Sequence, residues 1–449
     1  MGFLFMNLIA KIQKSDMKFK FLMLLSTTYL ASGINMQGFL SMMPFVREEF
    51  ALTRAQAGLY STFYFLTATI VAIFSGRLVD KFGSKKGMVF GATSIGILMI
   101  IHSAAPNFLL ILFLALLAGI GFSIITPSVN KAIMLNIEPG RRAVSMGIMQ
   151  SGGGIGGFLG ASLLPILGVR LGWRIAILCS GIFAIVIGVF ISRYFKDNNS
   201  SSKQDNNEKI ESQDFTENGE NSSENIDSNG KFRRQVGQSA REDSLSFKDS
   251  FLHLLKNKKL LSVCVMGLIF SLAAGAVPTH YTLYLTQDLA LSRTLAGLCL
   301  GILQIGGIIG RPFWGGFSDK ILQGNRTKGL IILGFLLTAL LFIYTFFITR
   351  LNPHIIIIYL FSFLLGFVGW GWNGLHLTTV AELATEKFTG MATGLALIFI
   401  RTGIVVSPPI FGYLADVTST YFYSWLISGI FILIFTTIFT VILKRVFAD

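Results

Sequence analysis

The sequence predicts an all-α integral membrane protein with twelve transmembrane helices in two pseudo-symmetric six-helix bundles. Three observations lead to this prediction. Only 13% of the 449 residues are charged, 52% are hydrophobic and the mean hydropathy is +0.65, whereas a soluble domain has about 25% charged residues. Apolar runs recur along the chain, and about 20 such residues suffice for a helix to cross a bilayer. A polar segment divides these runs into two equal sets.

The apolar runs and the polar segment define the expected domains. A lead-in at 1–20 precedes a first bundle at 21–195, and a second bundle follows at 258–445. The dividing segment, 196–257, is polar and nearly free of aromatic residues; we expect a disordered cytoplasmic linker, because it cannot bury enough apolar surface to fold. The predicted spans are 21–45, 55–79, 86–105, 108–132, 144–168, 174–194, 260–285, 295–318, 329–349, 354–380, 391–413 and 421–443.

Basic residues are distributed unequally between the two sets of loops. They concentrate before the first span, after the second, fourth and eighth, and after the last. The positive-inside rule makes these loops cytoplasmic. Both termini are therefore expected in the cytoplasm, with the chain in the plasma or inner membrane. The net charge of +14 is explained by this distribution and does not indicate a nucleic-acid partner.

The two halves carry similar motifs in the same order. "SGRLVDKFGSKK" ends the second span and "WGGFSDKILQGNRTK" ends the eighth, so that Gly76 and Asp80 are spaced like Gly315 and Asp319. "GIGF" in the fourth span corresponds to "GWGW" in the tenth. A duplicated six-helix unit is typical of transporters.

With these motifs the chain resembles the major facilitator superfamily over essentially its whole length. The family's loop pattern Gly-x-x-x-Asp-(Arg/Lys)-x-Gly-x-(Lys/Arg)-(Lys/Arg) is matched by Gly76, Arg77, Asp80, Gly83, Lys85 and Lys86, with a degenerate copy at Gly315, Asp319, Lys320, Arg326 and Lys328. The resemblance implies a central cavity and alternating access by rocking of one bundle against the other. We expect the loops to latch the bundles at the cytoplasmic side, joined by Arg311; the alternative is simple anchoring by positive charge.

Other features depart from patterns of some subfamilies. Gly160 and Ala161 stand where drug-efflux members carry a Gly-Pro pair, and Ala115 stands where many members carry an arginine. These departures count against efflux of hydrophobic drugs and leave proton coupling open. The run "GGGIGGFLG" lies within an apolar span, so we expect close helix contact there and not nucleotide binding.

One arginine lies deep in an apolar stretch, "ALIFIRTGIVVSPPIFG". Arg401 is about 21 Å of helical rise from Lys387, near the middle of the bilayer. All 23 acidic residues fall at helix ends, in loops, in the linker or at termini, except Glu382 near the cytoplasmic end of the tenth span. A guanidinium does not deprotonate, and its planar fork suits a carboxylate or phosphate. Arg401 is therefore expected to bind an anionic substrate; bonding to protein oxygens or pairing with Glu382 are the alternatives.

Polar and aromatic side chains at mid-span depth are further candidates for substrate binding. Trp370, Asn373 and His376 recur every three residues and share one face of the tenth helix. Each candidate alone is more often a packing or interfacial residue than a ligand. The candidates are Asn35, Gln37, Tyr60, Tyr64, Gln150, His280, Tyr281, Tyr284, Gln304, Trp370, Asn373 and His376.

These features predict a secondary active transporter of a small organic anion, most simply a carboxylate. The alternative is a carrier of neutral or cationic solutes, including drugs. An enzyme is less well supported, because no cluster of nucleophile, base or metal ligands is visible. No nucleotide-binding motif is present, and no cofactor is expected. A coupled proton, carried by His376 or His280, and exchange against a counter-anion are both open. We expect a monomer in the lipid bilayer.

Overall fold

A computed structural model describes residues 2–137, 142–195, 254–351, 353–384 and 389–446, which are almost entirely helical and contain no strand within these ranges. Most of the predicted linker, 196–253, lies outside the described residues. Ten of the described helices are long and apolar enough to cross a membrane, and the bent helix over residues 54–82 makes eleven if it is counted as one span, close to the predicted twelve. The all-α membrane fold is therefore confirmed.

Six helices form the N-terminal bundle. The first begins well before the predicted span and runs through the lead-in. Side chains start several of them: Thr53 and Gln56 form a capping box, and Asn107 accepts a hydrogen bond from the N–H of Leu110, which satisfies donors that have no partner within a helix. The helices are α1 (Gly2–Glu49), α2 (Arg54–Phe82), α3 (Ser84–Ser103), α4 (Phe108–Asn136), α5 (Arg142–Leu171) and α6 (Trp173–Tyr194).

The C-terminal bundle repeats this arrangement. Asn257, Ser292 and Asn325 cap its first three helices. The third continues through a π-helical turn, Tyr344–Ile348, to Leu351. The helices are α7 (Lys258–Gln287), α8 (Arg293–Lys320), α9 (Arg326–Ile343), α10a (Ile355–Gly369), α10b (Trp372–Leu383), α11 (Thr389–Thr418) and α12 (Phe422–Val446).

The glycine run of α5 packs against α1, as its composition predicted. A Cβ at Gly156 would lie 2.1 Å from the carbonyl oxygen of Leu30, and one at Gly33 would lie 2.2 Å from that of Gly153. Small residues allow such backbone contact, which supports helix association in lipid.

An indole explains the break between α10a and α10b. Trp314 of α8 donates its Nε1–H to the carbonyl oxygen of Phe367 at 3.1 Å, the acceptor that the N–H of Gly371 would otherwise use in a continuous helix. A Cβ at Gly371 would lie 2.3 Å from Cδ1 of Trp314, so only glycine fits. The break places Trp370, Trp372 and Asn373 at the centre of the protein.

The bundles meet along two antiparallel helix pairs, the α2–α11 seam and the α5–α8 seam. We call the end where α2 and α8 finish the basic end, after Lys81, Lys86, Lys320 and Lys328, and the other the opposite end. Contacts on the α2–α11 seam run from the opposite end as far as Thr62, whose hydroxyl donates to the carbonyl oxygen of Val405 at 2.7 Å. On the α5–α8 seam they run as far as Gly154 and Ile308.

The opposite end is closed by polar contacts between the bundles. The backbone N–H groups of Arg54 and Ala55, at the start of α2, donate to the two carboxylate oxygens of Asp416 on α11, each at 2.8 Å. Arg54 also donates from Nε to Oε1 of Gln287 at 2.8 Å. Glu48 of α1 pairs with Arg293 of α8. A carboxylate at a helix N-terminus is favourable because it meets free N–H groups and the positive end of the helix dipole.

The basic end shows a different pattern. Each ion pair described there joins two residues of one bundle: Asp80 with Lys131 at 3.1 Å, and Arg326 with both Asp319 at 2.9 Å and Glu382 at 2.6 Å. The ion pairs and hydrogen bonds described between the two bundles thus lie at the opposite end and along the seams, and a Cβ at Gly76 or Gly315 near the basic end would meet no atom within 4 Å. We infer that the described parts of the bundles are apart at the basic end.

Candidate functional site

A cavity of about 200 Å³ lies between the bundles, where the seam contacts stop. Its walls come from α1, α2, α7, α8, the break in α10 with the start of α10b, and α11. The lining combines apolar side chains with the polar side chains of Gln37, Thr279, Arg311 and Asn373, and convergent polar groups of this kind are typical of a ligand site. The lining residues are Gln37, Leu40, Phe65, Ala274, Gly275, Pro278, Thr279, Arg311, Trp370, Trp372, Asn373, Ile400 and Ile404.

Arg311 is the cation of this cavity wall. Its Nε is buried and has no hydrogen-bond partner among the described residues. We expected Arg311 to join Asp319 in the gate, but Asp319 pairs with Arg326 instead. The reason is that Arg311 lies more than two turns before Asp319 along α8 and points into the space between the bundles.

Arg401 lies beside this cavity, one residue from Ile400 of the lining. Its guanidinium is near the phenol groups of Tyr29 and Tyr64 in the N-terminal bundle, and no carboxylate of the described residues lies close to it. It makes no hydrogen bond or ion pair with any described residue. Glu382, the acidic partner considered from the sequence, is paired with Arg326.

The two arginines occupy equivalent places on the two seams. Arg311 is three residues beyond Ile308, and Arg401 is four residues beyond Val405, in each case about one turn toward the basic end from the last seam contact. Both therefore lie where the closed half of the protein meets the open half.

The profile of the Major Facilitator Superfamily matches residues 25–384 and 260–447. The chain belongs to this superfamily. Its relatives include the probable sulfoacetate transporter SauU of Cupriavidus necator, 23% identical over 86% of this chain and 84% of the relative. The multidrug resistance protein MdtG of Yersinia enterocolitica is also 23% identical, over 66% and 65%.

A solved structure shares the superfamily fold. It is a bacterial homologue of the human lysosomal transporter Spinster in an inward-facing, unoccupied conformation, with a TM-score of 0.67 and 13% identity over 93% of this chain and 95% of that one. The protein is thus a multi-pass transporter of this superfamily and not an enzyme, as the duplicated motifs predicted.

Three sequence-predicted candidates, Gln37, Trp370 and Asn373, line the cavity of this transporter. Gln304 lies next to it, buried, with an unpartnered Nε2. Gln150 is exposed on α5, one turn from Gly154 on the face toward α8. The structure therefore gathers these side chains with Arg311 and Arg401 around one region.

Five other candidates pack elsewhere. Asn35 accepts a hydrogen bond from Ser180 at 3.0 Å, between α1 and α6. The hydroxyls of Tyr281 and Tyr284 bond to Tyr344, Ser362 and Thr349 within the C-terminal bundle. His376 bonds through Nε2 to the carbonyl oxygen of Val263 at 2.8 Å, so it faces α7 and not the cavity. His280, the other proposed proton carrier, bonds to Pro408 and Tyr421 and is likewise buried in the bundle.

The superfamily loop adopts a tight turn between α2 and α3. Gly83 has φ +92° and donates its N–H to the carbonyl oxygen of Val79 at 2.9 Å, a conformation that favours glycine. Lys131 donates to Asp80 and to the carbonyl oxygen of Val79. The other loop residues predicted to form the gate, Gly76, Arg77, Lys85 and Lys86, lie on the ends of α2 and α3 around this turn.

The position of Arg311 in the cavity was missed from the sequence. A signal was present, because Gln304 and Arg311 are seven residues apart and therefore share one helix face. Arg311 was assigned to the gate instead because Asp319 of the repeated motif follows it on the same helix.

Proposed function

We propose that the protein is a secondary active transporter that moves a small organic anion, most simply a carboxylate, by alternating access. The observation that carries the proposal is the pair of arginines, Arg311 and Arg401, that face the region between the bundles without a carboxylate among the described residues. An unpaired guanidinium is costly at membrane depth, and a carboxylate that accepts charge-assisted hydrogen bonds from it removes that cost.

The arrangement of contacts supports the transport cycle. In the structure the cavity region is sealed at the opposite end by Asp416, Arg54, Glu48 and Arg293, while the bundles are apart at the basic end. We infer from the positive-inside rule that the basic end is cytoplasmic, in the plasma or inner membrane. The conformation then corresponds to the inward-open state, and the paired loops are inferred to latch the bundles in the outward-open state.

The relatives support two different substrate classes. The name of SauU refers to sulfoacetate, an organic anion, which agrees with two arginines at the cavity. The name of MdtG refers to multidrug resistance, which supports the alternative, a carrier of neutral or cationic solutes. We favour the anion, because two fixed positive charges repel a cationic substrate.

Counterflow in proteoliposomes tests this function. Vesicles are loaded with an unlabelled compound and uptake of its labelled form is measured for a carboxylate, a sulfonate, a phosphate ester, a neutral sugar and a lipophilic cation. Counterflow of one or more anions, absent from empty vesicles, is the expected result. Counterflow of the sugar or the cation alone would move the assignment to the alternative.

The proposal includes how movement of the substrate is coupled to movement of a second ion. His280 and His376 are both packed against backbone carbonyl groups away from the cavity. Exchange of the substrate for a counter-anion at the two arginines requires no titrating side chain in the cavity, so we favour exchange over proton coupling. We propose that the transporter works as a monomer, since one chain supplies both bundles.

A further inference from the structure

We infer that Gln37 and Gln304 bind a hydroxyl group of the transported anion, which makes the substrate a hydroxylated organic acid. This inference rests on the proposed function, and it adds a recognition element that the arginines cannot supply. An arginine pair recognises the acid group alone and does not distinguish a hydroxy acid from its deoxy analogue.

The two amides are brought together by a glycine. Gly157 of α5 lies where α1 and α8 approach, and a Cβ there would lie 3.1 Å from Cγ of Gln37 and 3.2 Å from Cγ of Gln304. Both side chains thus pack against the same α-carbon, one from each bundle. Gln37 also lines the cavity together with Arg311.

Each amide has a buried atom without a partner. Oε1 of Gln37, an acceptor, and Nε2 of Gln304, a donor, form no hydrogen bond, and only 9% of Gln304 is exposed. Buried polar groups are nearly always hydrogen-bonded, so an unmatched acceptor beside an unmatched donor indicates a missing ligand group. A hydroxyl fits both, because its O–H donates to Gln37 while its oxygen accepts from Gln304. If both amides are turned over, donor and acceptor exchange and the hydroxyl still fits.

The distance to the charged groups sets the kind of molecule. Gln304 and Arg311 lie on one face of α8, separated by about 10 Å of helical rise. The two side chains extend across part of that distance, and a ligand of a few carbon atoms spans the remainder. The acid group is then held by the arginines and the hydroxyl by the amides. The substrate class is a short hydroxy acid or sugar acid.

Matched pairs of anions test the inference. The affinities of purified wild-type protein for malate and succinate, lactate and propionate, and isethionate and ethanesulfonate are measured by calorimetric titration. The hydroxylated member of at least one pair is expected to bind about tenfold more tightly or better, since its absence leaves buried polar groups unpaired. Equal affinity within every pair overturns the inference and shows that the amides hold only water.

Two variants locate the effect. Gln304→Leu is expected to remove the preference for the hydroxylated member while the deoxy acid binds within about threefold of wild type. Gln37→Met provides the same test from α1 if the first variant does not fold. Thr437→Val, which removes an exposed hydroxyl of α12, is the control and retains the preference.

The outcomes separate this inference from the proposed function. Binding of deoxy acids that is lost in Arg311→Gln, together with equal affinity for hydroxy acids, leaves the anion carrier intact and removes the role of the amides. A preference that persists in both Gln304→Leu and Gln37→Met also overturns the inference. Failure of every anion to bind overturns the proposed function itself.

Discussion

Arg401 and Arg311 differ from several arginines at helix ends, each of which meets a carboxylate, a carbonyl oxygen or an aromatic ring. Arg54, Arg174, Arg293 and Arg326 have such partners. The two cavity arginines face a region that has no described carboxylate. Their charge is therefore available to a ligand. The planar donor geometry of the guanidinium group should then contribute to the affinity for an anion.

The residue-scale prediction is a graded loss of anion binding at Arg401. Arg401→Lys retains the charge but loses the fork, and affinity is expected to fall about tenfold; Arg401→Gln also loses the charge, and affinity is expected to fall about a hundredfold or more. Titration calorimetry with the best-bound anion provides the measurement. Arg193→Gln, at an exposed position of α6, is the control. Lysine and glutamine variants with wild-type affinity would show that Arg401 is structural.

At this scale the sequence predicted how deep a side chain lies in the membrane better than which neighbouring element it faces. Arg401, Gln304, Trp370 and Asn373 were found because a polar side chain in a long apolar run is conspicuous. His376 was wrongly grouped with Trp370 and Asn373 on the cavity face, because a six-residue step turns about 120° around a helix, which directs the imidazole to Val263 of α7 instead. Which neighbouring helix lies on that side depends on packing, and no pattern within α10 reveals it.

Helix contacts at the element scale depend on glycines that have no room for a methyl group. Gly366 of α10a is the tightest example, since a Cβ there would lie 1.8 Å from the carbonyl oxygen of Leu303 on α8. Gly374, on α10b, has no neighbouring heavy atom within 4 Å of the same position. The two glycines are thus a matched pair within one transmembrane span.

Alanine substitutions at these two positions should behave oppositely. Gly366→Ala is expected to lower the free energy of unfolding by at least about 2 kcal/mol, because the backbone of α8 must move away. Gly374→Ala is expected to be neutral or to stabilise by up to about 1 kcal/mol through helix propensity. Thermal unfolding of the purified variants in detergent is the measurement. Similar unfolding temperatures for the two variants would contradict the close approach of α8 and α10.

Two adjacent carboxylates at the end of α1 serve different elements. Glu48 reaches Arg293 of the other bundle, whereas Glu49 bonds to Arg174 and Trp173 of its own bundle. Glu48→Gln should therefore loosen the closure at the opposite end, and Glu49→Gln should leave it unchanged. Labelling of a cysteine introduced at Thr282, whose hydroxyl bonds to Leu40 across the bundles, reports the opening. Faster labelling in both variants, or in neither, would contradict the assignment of Glu48 to the closure.

Glu49 also predicts a pH dependence. Burial raises the pKa of its carboxyl, but the hydrogen bonds from Arg174 and Trp173 outweigh burial and the pKa is lowered overall. A lowered folded-state pKa contributes stability that is present above the unfolded-state pKa and is lost as the pH falls through the folded-state value. The stability difference between wild type and Glu49→Gln should accordingly shrink on acidification below the ordinary glutamate range. A difference that grows in acid would contradict the pairing.

At the scale of the whole molecule, the two seams predict how the basic end closes. Gly58 meets Pro408 and Gly412 meets Arg54 on the α2–α11 seam, and Gly297 meets Pro165 and Gly154 meets Ile308 on the α5–α8 seam. Continuing each register toward the basic end brings Gly76 opposite Gly390 and Gly315 opposite Gly147. In the present conformation a Cβ built on Gly76 or on Gly315 would have no neighbouring heavy atom within 4 Å. These glycine pairs should allow close approach when the bundles rock together.

Disulfide trapping tests this register. Gly76→Cys with Gly390→Cys, and Gly147→Cys with Gly315→Cys, are expected to cross-link only when the basic end closes. Gly297→Cys with Ala161→Cys should cross-link in the conformation described. The native Cys179, Cys264 and Cys299 are first replaced by serine or alanine. Cross-linking of all three pairs under one condition would contradict alternating access by rocking.

The whole architecture was accessible from the sequence because lipid constrains it strongly. A spanning segment must be a helix that satisfies its own backbone, and the repeated "GRLVDKFG" and "GGFSDK" loops revealed the duplication. The conformational state was not accessible, because it depends on cross-bundle contacts such as Asp416 with the start of α2. The contact of Asp416 with Arg54 joins residues 362 positions apart, with no shared pattern.

The most direct test of the account is stabilisation of the protein by anions. Apparent unfolding temperatures are measured for wild type, Arg311→Gln, Arg401→Gln and Arg193→Gln with a panel of carboxylates, sulfonates, phosphates, sugars and amines. A ligand at 100 times its Kd adds about 2.7 kcal/mol of stability. Particular organic acids are expected to stabilise wild type and Arg193→Gln but neither Arg311→Gln nor Arg401→Gln. Stabilisation that survives in both cavity variants, or that comes only from sugars or amines, would contradict it.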